Sequence, residues 1–228
     1  MHNPKEVSGR RAAELVRDGM VVGLGTGSTV YFSLVRLRER IEREGLAIRG
    51  VPTSNDTDAK ARALGIPLVG LEEVEVIDLT IDGADEIDAN YDMIKGGGGA
   101  LLREKVVASL SREEAIVVGP DKLVDRLGST FPLPIEVVPF AVAAIERRVR
   151  EHGAEPRLRM RGDAIFVTDN GNHILDCRFA RGIADAAALE QTLDRIPGIV
   201  ETGLFIGLAH TLVIGHPDGR VDVRNKRG

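Results

Sequence analysis

Tryptophan is missing from this 228-residue chain, and aromatic residues of all kinds make up only 4% of it. Binding modes that stack bases or sugars on aromatic platforms are poorly served by such a composition. There is a single cysteine, Cys177, so no intrachain disulfide framework can form. That usage fits a reducing compartment. Excess positive charge is lacking too: 30 basic against 35 acidic residues leave a net charge of −5. No global field is therefore available to hold nucleic acid or an anionic membrane. No uncharged run approaches the roughly 20 apolar residues that cross a bilayer. The opening residues, Met1 to Glu6, have no apolar signal core behind them. The expected setting is the cytoplasm, with no membrane and no nucleic-acid partner.

What the chain has in quantity is glycine, 26 residues of it, and the positions of the clusters direct the reading. At roughly 150 residues per domain, the length suits one large domain or two small ones. The first two-thirds alternates amphipathic stretches with short apolar runs. Helices are expected over Lys5–Arg17, Thr29–Glu44, a segment capped by Ser54 or Asn55 and ending before Gly65, and Ala100–Leu110. Strands are expected over Met20–Leu24, Ile48–Val51, Val74–Ile81 and Ala115–Val118. This alternation argues for an α/β layer with a mostly parallel sheet.

The texture changes at Phe131-Pro132-Leu133-Pro134. Beyond it the expected strands are Ile135–Val138, Arg157–Arg161, Ile165–Thr168, His173–Phe179 and Gly198–Thr202. The expected helices are Ala141–His152 and Asp185–Arg195. That order suits a smaller α+β domain on an antiparallel sheet. Strand-like runs at Leu204–Leu208, Leu212–Ile214 and Val221–Val223 complete the chain. Cys177 alternates onto one face with Leu175 and Phe179 and reads as a core thiol. His173, His210 and His216 lie in or beside strands and read as structural, while His2 and His152 read as peripheral.

Three segments could carry chemistry. Gly23-Leu24-Gly25-Thr26-Gly27-Ser28-Thr29 lies between a strand and a helix. Glycines there let backbone N–H groups approach an anion at a helix N-terminus, and Thr26, Ser28 and Thr29 add hydroxyls. The dinucleotide fingerprint wants glycine where Ser28 stands, and the Walker A lysine is missing, so a single phosphate group fits better. A tight turn that needs glycine for sterics alone is the plainer alternative. Asp82-Gly83-Ala84-Asp85-Glu86 follows a strand. In open α/β sheets ligands sit beyond the carboxyl ends of strands. The two aspartates could bind sugar hydroxyls or relay a proton, or the segment could be a solvated acidic loop. The surrounding run of Asp78, Asp82, Asp85, Glu86, Asp88 and Asp92 has neither EF-hand spacing nor a nearby histidine, and no metal is assigned to it.

The third segment, Lys95-Gly96-Gly97-Gly98-Gly99-Ala100, runs straight into an apolar helix bearing Glu104. A second nest of backbone donors explains four costly glycines better than a linker does. Glu104 falls about one turn into that helix. A phosphate nest, two carboxylates, a lysine and a possible base suffice for proton abstraction beside a carbonyl, without a redox cofactor. The serine-hydrolase pattern G-x-S-x-G is absent.

The segments GLGTGST, TSNDTDAKARALGIPL, DGADEIDANYDMIKGGGGALLREK, FPLPIEVVPFA and TDNGNHILDC, in this order, closely resemble the type A ribose-5-phosphate isomerase family. The resemblance covers nearly the whole chain, from Lys5 to about Phe205. It implies interconversion of ribose 5-phosphate and ribulose 5-phosphate through an enediolate, in the non-oxidative pentose phosphate pathway. It implies Glu104 as the base between C2 and C1, and Lys95 as the charge that stabilises the enediolate. Asp82 and Asp85 are implied as the carboxylates at the sugar. Thr26, Gly27, Ser28 and Thr29 match the phosphate loop. Gly83, Ala84, Gly96, Gly97 and Gly98 join the substrate-binding set, with Lys122 and Lys5 as further lysines near the substrate. No cofactor and no metal are implied, and the family is commonly a homodimer. A Rossmann-like domain is implied over residues 1–130 plus 205–228, with a small α+β domain over 131–204.

Two positions depart from the family pattern. Gly119 stands where an aspartate is frequent, with Asp121 two residues on, and Gly99 stands where alanine is common. The second change leaves the Lys95 to Glu104 spacing intact. The rival from another class is a sugar-phosphate sensor on the same fold. It would keep the phosphate loop but could dispense with Glu104 or Lys95.

Overall fold

The computed structural model describes residues 2–226. The chain begins with α1 (Pro4–Ala13), β1 (Val21–Leu24), α2 (Ser28–Glu44), β2 (Arg49–Pro52), α3 (Asn55–Ala63) and β3 (Leu79–Asp82). Two short strands, β4 (Glu86–Ile87) and β5 (Met93–Ile94), precede α4 (Leu101–Ser109) and β6 (Glu114–Val118). Then come β7 (Leu133–Val137), α5 (Val142–Glu151), β8 (Ala154–Leu158), β9 (Met160–Arg161), β10 (Ala164–Ile165) and β11 (His173–Phe179). The rest is α6 (Ala186–Leu193), β12 (Ile199–Thr202), β13 (Leu204–Phe205), β14 (Thr211–Gly215) and β15 (Val221–Asn225).

Two units divide the chain. The first takes in the chain up to Ala84, Arg103–Lys122, and the chain from Leu208 onward; the second is Asp85–Leu102 with Leu123–Gly207. The first unit holds a six-stranded sheet in the order β15-β14-β6-β3-β1-β2. Its pairs are parallel except for β14 with β15. Alternation along each strand feeds two faces. Val22 and Leu24 of β1 pack with Leu34 and Leu37 of α2 and Ala12 of α1, all buried. Val21 packs instead with Val51, Ile77 and Val107 of α4.

In the second unit, β7-α5-β8-β11-α6-β12 forms an antiparallel sheet in the order β12-β7-β11-β8. Leu133, Ile135 and Val137 of β7 share its core with Ile145 and Val149 of α5 and with Leu175 and Cys177 of β11. The spacing of Ile145 and Val149 is one helical turn, which places them on one stripe of α5. Burial pushes the Cys177 thiol far up from its ordinary value. A mostly parallel helix-flanked sheet and an antiparallel α+β part are thus both present, as the alternation of runs implied.

Several elements differ from the sequence expectation; the strand expected over Ile165–Thr168 keeps only Ile165, in β10, and that over Leu204–Leu208 keeps only Leu204 and Phe205. Helix α1 ends at Ala13, short of Arg17, because Arg40 takes the carbonyls of Ala13 and Val16 at 2.6 and 2.8 Å and turns the chain. The strand expected from Val74 begins only at Leu79. Before it, Glu73 folds back to accept the Gly70 amide at 3.1 Å and closes a short 3-10 turn. The hairpin β4–β5, which pairs onward with β13, was hidden among polar residues too short to show a period.

No helix among the described residues is long and apolar enough to cross a membrane. His210 accepts the Glu114 amide through Nδ1 at 3.1 Å, and His216 Nε2 lies 3.1 Å from Asp222. Both contacts lie at strand ends. Full burial of Cys177 predicts that an aromatic disulfide reagent leaves the native thiol unlabelled and titrates it only in denaturant. Rapid labelling of the native protein would show that water reaches this core.

Candidate active site

The carboxyl ends of β2, β1, β3 and β6 share one edge of the parallel sheet, where α/β proteins hold ligands. Strand order reverses at β1, with β2 on one side and β3 on the other. The loop after β1 enters α2 through Gly27, whose φ of +125° is open to glycine alone among ordinary residues. Helix α2 has no side-chain cap and no acidic residue in its first turn. By contrast, Asn3, Ser54 and Asp185 cap α1, α3 and α6. The positive end of α2 thus has no side-chain cap or first-turn carboxylate of its own, the setting in which a helix end could accept an anion. Gly27 and Ser28 are exposed and Thr29 is half-buried. Lys5 Nζ donates to Ser28 Oγ at 2.9 Å, which brings a cation to the same end.

Thr26 has a different task. Its Oγ1 lies 2.8 Å from Thr53 Oγ1, 2.8 Å from Ser54 Oγ and 3.3 Å from Thr57 Oγ1. Thr57 in turn donates to the Gly25 carbonyl at 2.8 Å. The hydroxyls after β2 and at the start of α3 therefore frame the loop from behind. Only the TSNDT segment signalled this in the sequence, and no property of one hydroxyl run identifies it as a frame.

Asp82, at the end of β3, is fully buried. Its Oδ1 accepts from the Thr26 amide at 3.1 Å and the Gly83 amide at 2.7 Å. A side chain at Gly25 would place its Cβ 2.2 Å from that oxygen. Gly83 and Ala84 follow, half-buried. In the same unit, Glu104 is 4% exposed and sits in the first turn of α4, where the helix end favours negative charge. Arg103 beside it donates to Asn55 Oδ1 at 2.9 Å. Lys122, half-buried, ends a short 3-10 turn after β6 and lies 3.5 Å from Asp121. Asp121 Oδ1 is 2.5 Å from where a Cβ at Gly119 would stand, so the aspartate leans back over the glycine.

In the second unit, Asp85 Oδ2 accepts the Gly97 amide at 2.7 Å. Lys95 is 2% exposed, with Nζ 5.3 Å from the centre of the Phe205 ring, a cation–π distance. Its own amide donates to Gly203 at 2.9 Å. Gly96 and Gly99 have φ of +105° and +83°. At Gly99 an added Cβ would meet Phe166 Cζ at 2.3 Å, so alanine there requires the ring to move. Gly97 and Gly98 are exposed.

Of the rest of the acidic run, Asp78 accepts the Val21 amide at the start of β1 and pairs with Arg112, while Glu86, Asp88 and Asp92 hold loop amides. Glu86 is fully buried and accepts the amides of Gly128, Thr130 and Phe131 at 2.5 to 2.7 Å. Asp88 takes those of Asn90 and Asp92, and Asp92 that of Gly207. Among the described residues no three His, Cys, Asp or Glu side chains converge as a metal site. Sequence reasoning missed Glu86 as an anchor, and it missed the guanidinium of Arg159, which reaches the carbonyls of the glycine run.

The family described as ribose 5-phosphate isomerase A (phosphoriboisomerase A) matches residues 49–219 of this chain. A protein of Bacillus mycoides named ribose-5-phosphate isomerase A is 50% identical over 219 residues, covering 96% of this chain and 98% of that one. The solved structure of ribose 5-phosphate isomerase from Plasmodium falciparum superposes with a TM-score of 0.95 at 39% identity, covering 98% of each chain. A D-ribose-5-phosphate isomerase solved in complex with phospho-erythronic acid gives 0.94 at 37% identity, covering 98% of this chain and all of the other.

Replacing Gly25 with alanine drives a methyl group into the Asp82 carboxylate. The expected result is loss of several degrees in Tm and of most turnover, read by thermal melting and a sugar-phosphate isomerisation assay. A Gly25→Ala protein with unchanged melting and turnover would show that the close approach is not needed.

Proposed function

This chain belongs to the ribose 5-phosphate isomerase A family, and from that premise we propose how its residues interconvert ribose 5-phosphate and ribulose 5-phosphate. The observation that carries the proposal is burial of two charges at the positions the family pattern uses, Lys95 of the second unit at 2% exposure and Glu104 of the first at 4%. Charges are kept out of water at such cost when they have chemistry or structure to perform.

Glu104 is the base. Its carboxylate takes the proton from C2 of the open-chain aldose. The C2–H electron pair forms the C1=C2 bond of an enediolate, and the C1 carbonyl electrons move onto O1. The proton then returns to C1, the hydroxyl proton of O2 passes to O1, and C2 becomes the carbonyl. Atoms and electrons balance with those two proton transfers alone, so no redox group enters the equation.

Lys95 stabilises the enediolate charge. Of the two aspartates, the half-buried Asp85 carries the O1/O2 proton transfer. Asp82, buried with Oδ1 on two amides, ties the phosphate loop to β3. The uncapped start of α2 at Gly27, Ser28 and Thr29, with Lys5, receives the phosphate, and Lys122 adds charge beside β6. Phosphate binding at the end remote from C1 and C2 then supplies orientation where the bonds change. Gly83, Ala84, Gly96, Gly97 and Gly98 complete the binding set.

The isomerase names of the relatives favour this reading over a sugar-phosphate sensor. With the family resemblance, we also place the protein in the cytoplasm as a homodimer; light scattering of the purified protein tests the oligomeric state.

Ribose 5-phosphate supplied with excess EDTA should be converted at full rate by the wild type. In Glu104→Gln, kcat should fall by about 10²- to 10⁴-fold while KM changes little. Near wild-type kcat in that variant would remove Glu104 from the role of base.

A further inference from the structure

We infer that Arg159 is a positioning residue for this reaction, acting on Asp85 through the single peptide group that joins Gly96 to Gly97. The inference rests on the role proposed above for Asp85.

Arg159 lies between β8 and β9, and its side chain is only 13% exposed. Its Nε and Nη2 form a two-pronged pair with Asp176 of β11, at 2.9 and 2.5 Å. A fork of this kind fixes the plane of the guanidinium as well as its position. The remaining nitrogen, Nη1, donates to the carbonyl oxygens of Gly96 at 2.8 Å and Gly97 at 3.2 Å. Phe166 closes over the group: the Arg159 guanidinium carbon is 5.7 Å from its ring centre, and the Phe166 amide donates to the Arg159 carbonyl at 2.9 Å.

The Gly96 carbonyl and the Gly97 N–H belong to one amide. A cation sits on its oxygen, and the Asp85 carboxylate sits on its hydrogen at 2.7 Å. Charge at both ends polarises the amide along its own dipole, which strengthens the N–H···carboxylate bond. The order Asp176, Arg159, peptide, Asp85 is therefore an alternation of acceptor and donor.

Glycine on both sides makes the device necessary. A peptide plane between two glycines rotates with little steric resistance, and the φ of Gly96 is already +105°. Rotation of that plane would turn the Gly97 N–H away from Asp85. Side chains cannot lock it: a Cβ at Gly97 would fall 2.6 Å from Asp85 Oδ1, and one at Gly96 would fall 3.0 Å from Leu101 Cβ. The lock must come from outside the loop, and Arg159 is the group that holds both carbonyls.

The test is a double-mutant cycle on the full-length protein. Steady-state isomerisation of ribose 5-phosphate is measured for the wild type, Arg159→Met, Asp85→Asn and the double variant, with thermal melting of each. Arg159→Met should lower kcat by about tenfold or more, the scale of one charge-assisted hydrogen bond, with KM changed by less than about threefold. In the Asp85→Asn background the same change should cost less than about twofold, because its target is gone. Arg159→Lys, which keeps one donor for the Gly96 carbonyl, should recover part of the loss, and it replaces Arg159→Met in the cycle if that variant does not fold.

A kcat within about twofold of wild type in folded Arg159→Met would overturn the inference, as would an equal loss in both backgrounds, the mark of a purely structural ion pair. No turnover by the wild type would defeat the isomerase reading itself. Full turnover by Asp85→Asn would defeat the role of Asp85, and either result is read before Arg159 enters the comparison.

Discussion

Much of the first unit is arranged around one buried carboxylate. Asp82 has no exposed surface, and an unsatisfied charge in that position would cost several kcal/mol. Two loop amides, those of Thr26 and Gly83, meet its Oδ1. Their approach requires that residue 25 carry no side chain, since any Cβ would stand 2.2 Å from the same oxygen. Thr26, once drawn in, meets the hydroxyls of Thr53, Ser54 and Thr57, which couples the ends of β1, β2 and β3. The glycines on either side of Thr26 thus do separate jobs. Gly25 admits the carboxylate, and Gly27 turns the chain into α2 at φ +125°.

Burial of charge recurs in both units, and it is met in more than one way. Glu86 is held by three amides of the 128–131 loop, and Asp85 by that of Gly97. Glu104 lies in the first turn of its own helix. Lys95 lies beside the ring of Phe205, at a cation–π distance. Proton abstraction from carbon benefits from such dryness, since each electrostatic contact strengthens as water is removed.

The sequence showed the alternation of runs because β1, β6 and β7 are mostly apolar and buried throughout, and α2 and α5 carry clean helical stripes around Leu34, Leu37, Ile145 and Val149. It overextended β3, since Val74 and Val76 mimic a strand although Glu73 has already turned the chain back on Gly70. It could not show β4 and β5, two residues each. Among the proposed site residues, the glycine loops and their carboxylates were legible as local patterns. The hydroxyl frame and Arg159 were not, because each depends on pairing: Arg159 stands 63 residues from Gly96 and meets it through the register of β8 with β11. One of many surface-type arginines becomes special only through that register.

The two glycine loops are built with opposite polarity, and the difference suits their tasks. In the first, an anion, Asp82, gathers backbone N–H groups from Thr26 and Gly83. The amides at the start of α2 that lie farther along are neither capped nor matched by a first-turn acid. An anchor of negative charge set back from the helix end leaves the positive end intact for the phosphate proposed to bind there. In the second loop, a cation, Arg159, gathers carbonyl oxygens from Gly96 and Gly97. A cation on the carbonyls leaves the opposite edge of the chain rich in N–H donors, one of which already serves Asp85. Glycine supplies freedom in both places and therefore cannot supply direction. Direction comes from one fixed charge behind each loop, and the sign of that charge decides which backbone dipoles are spent on the fold and which face outward.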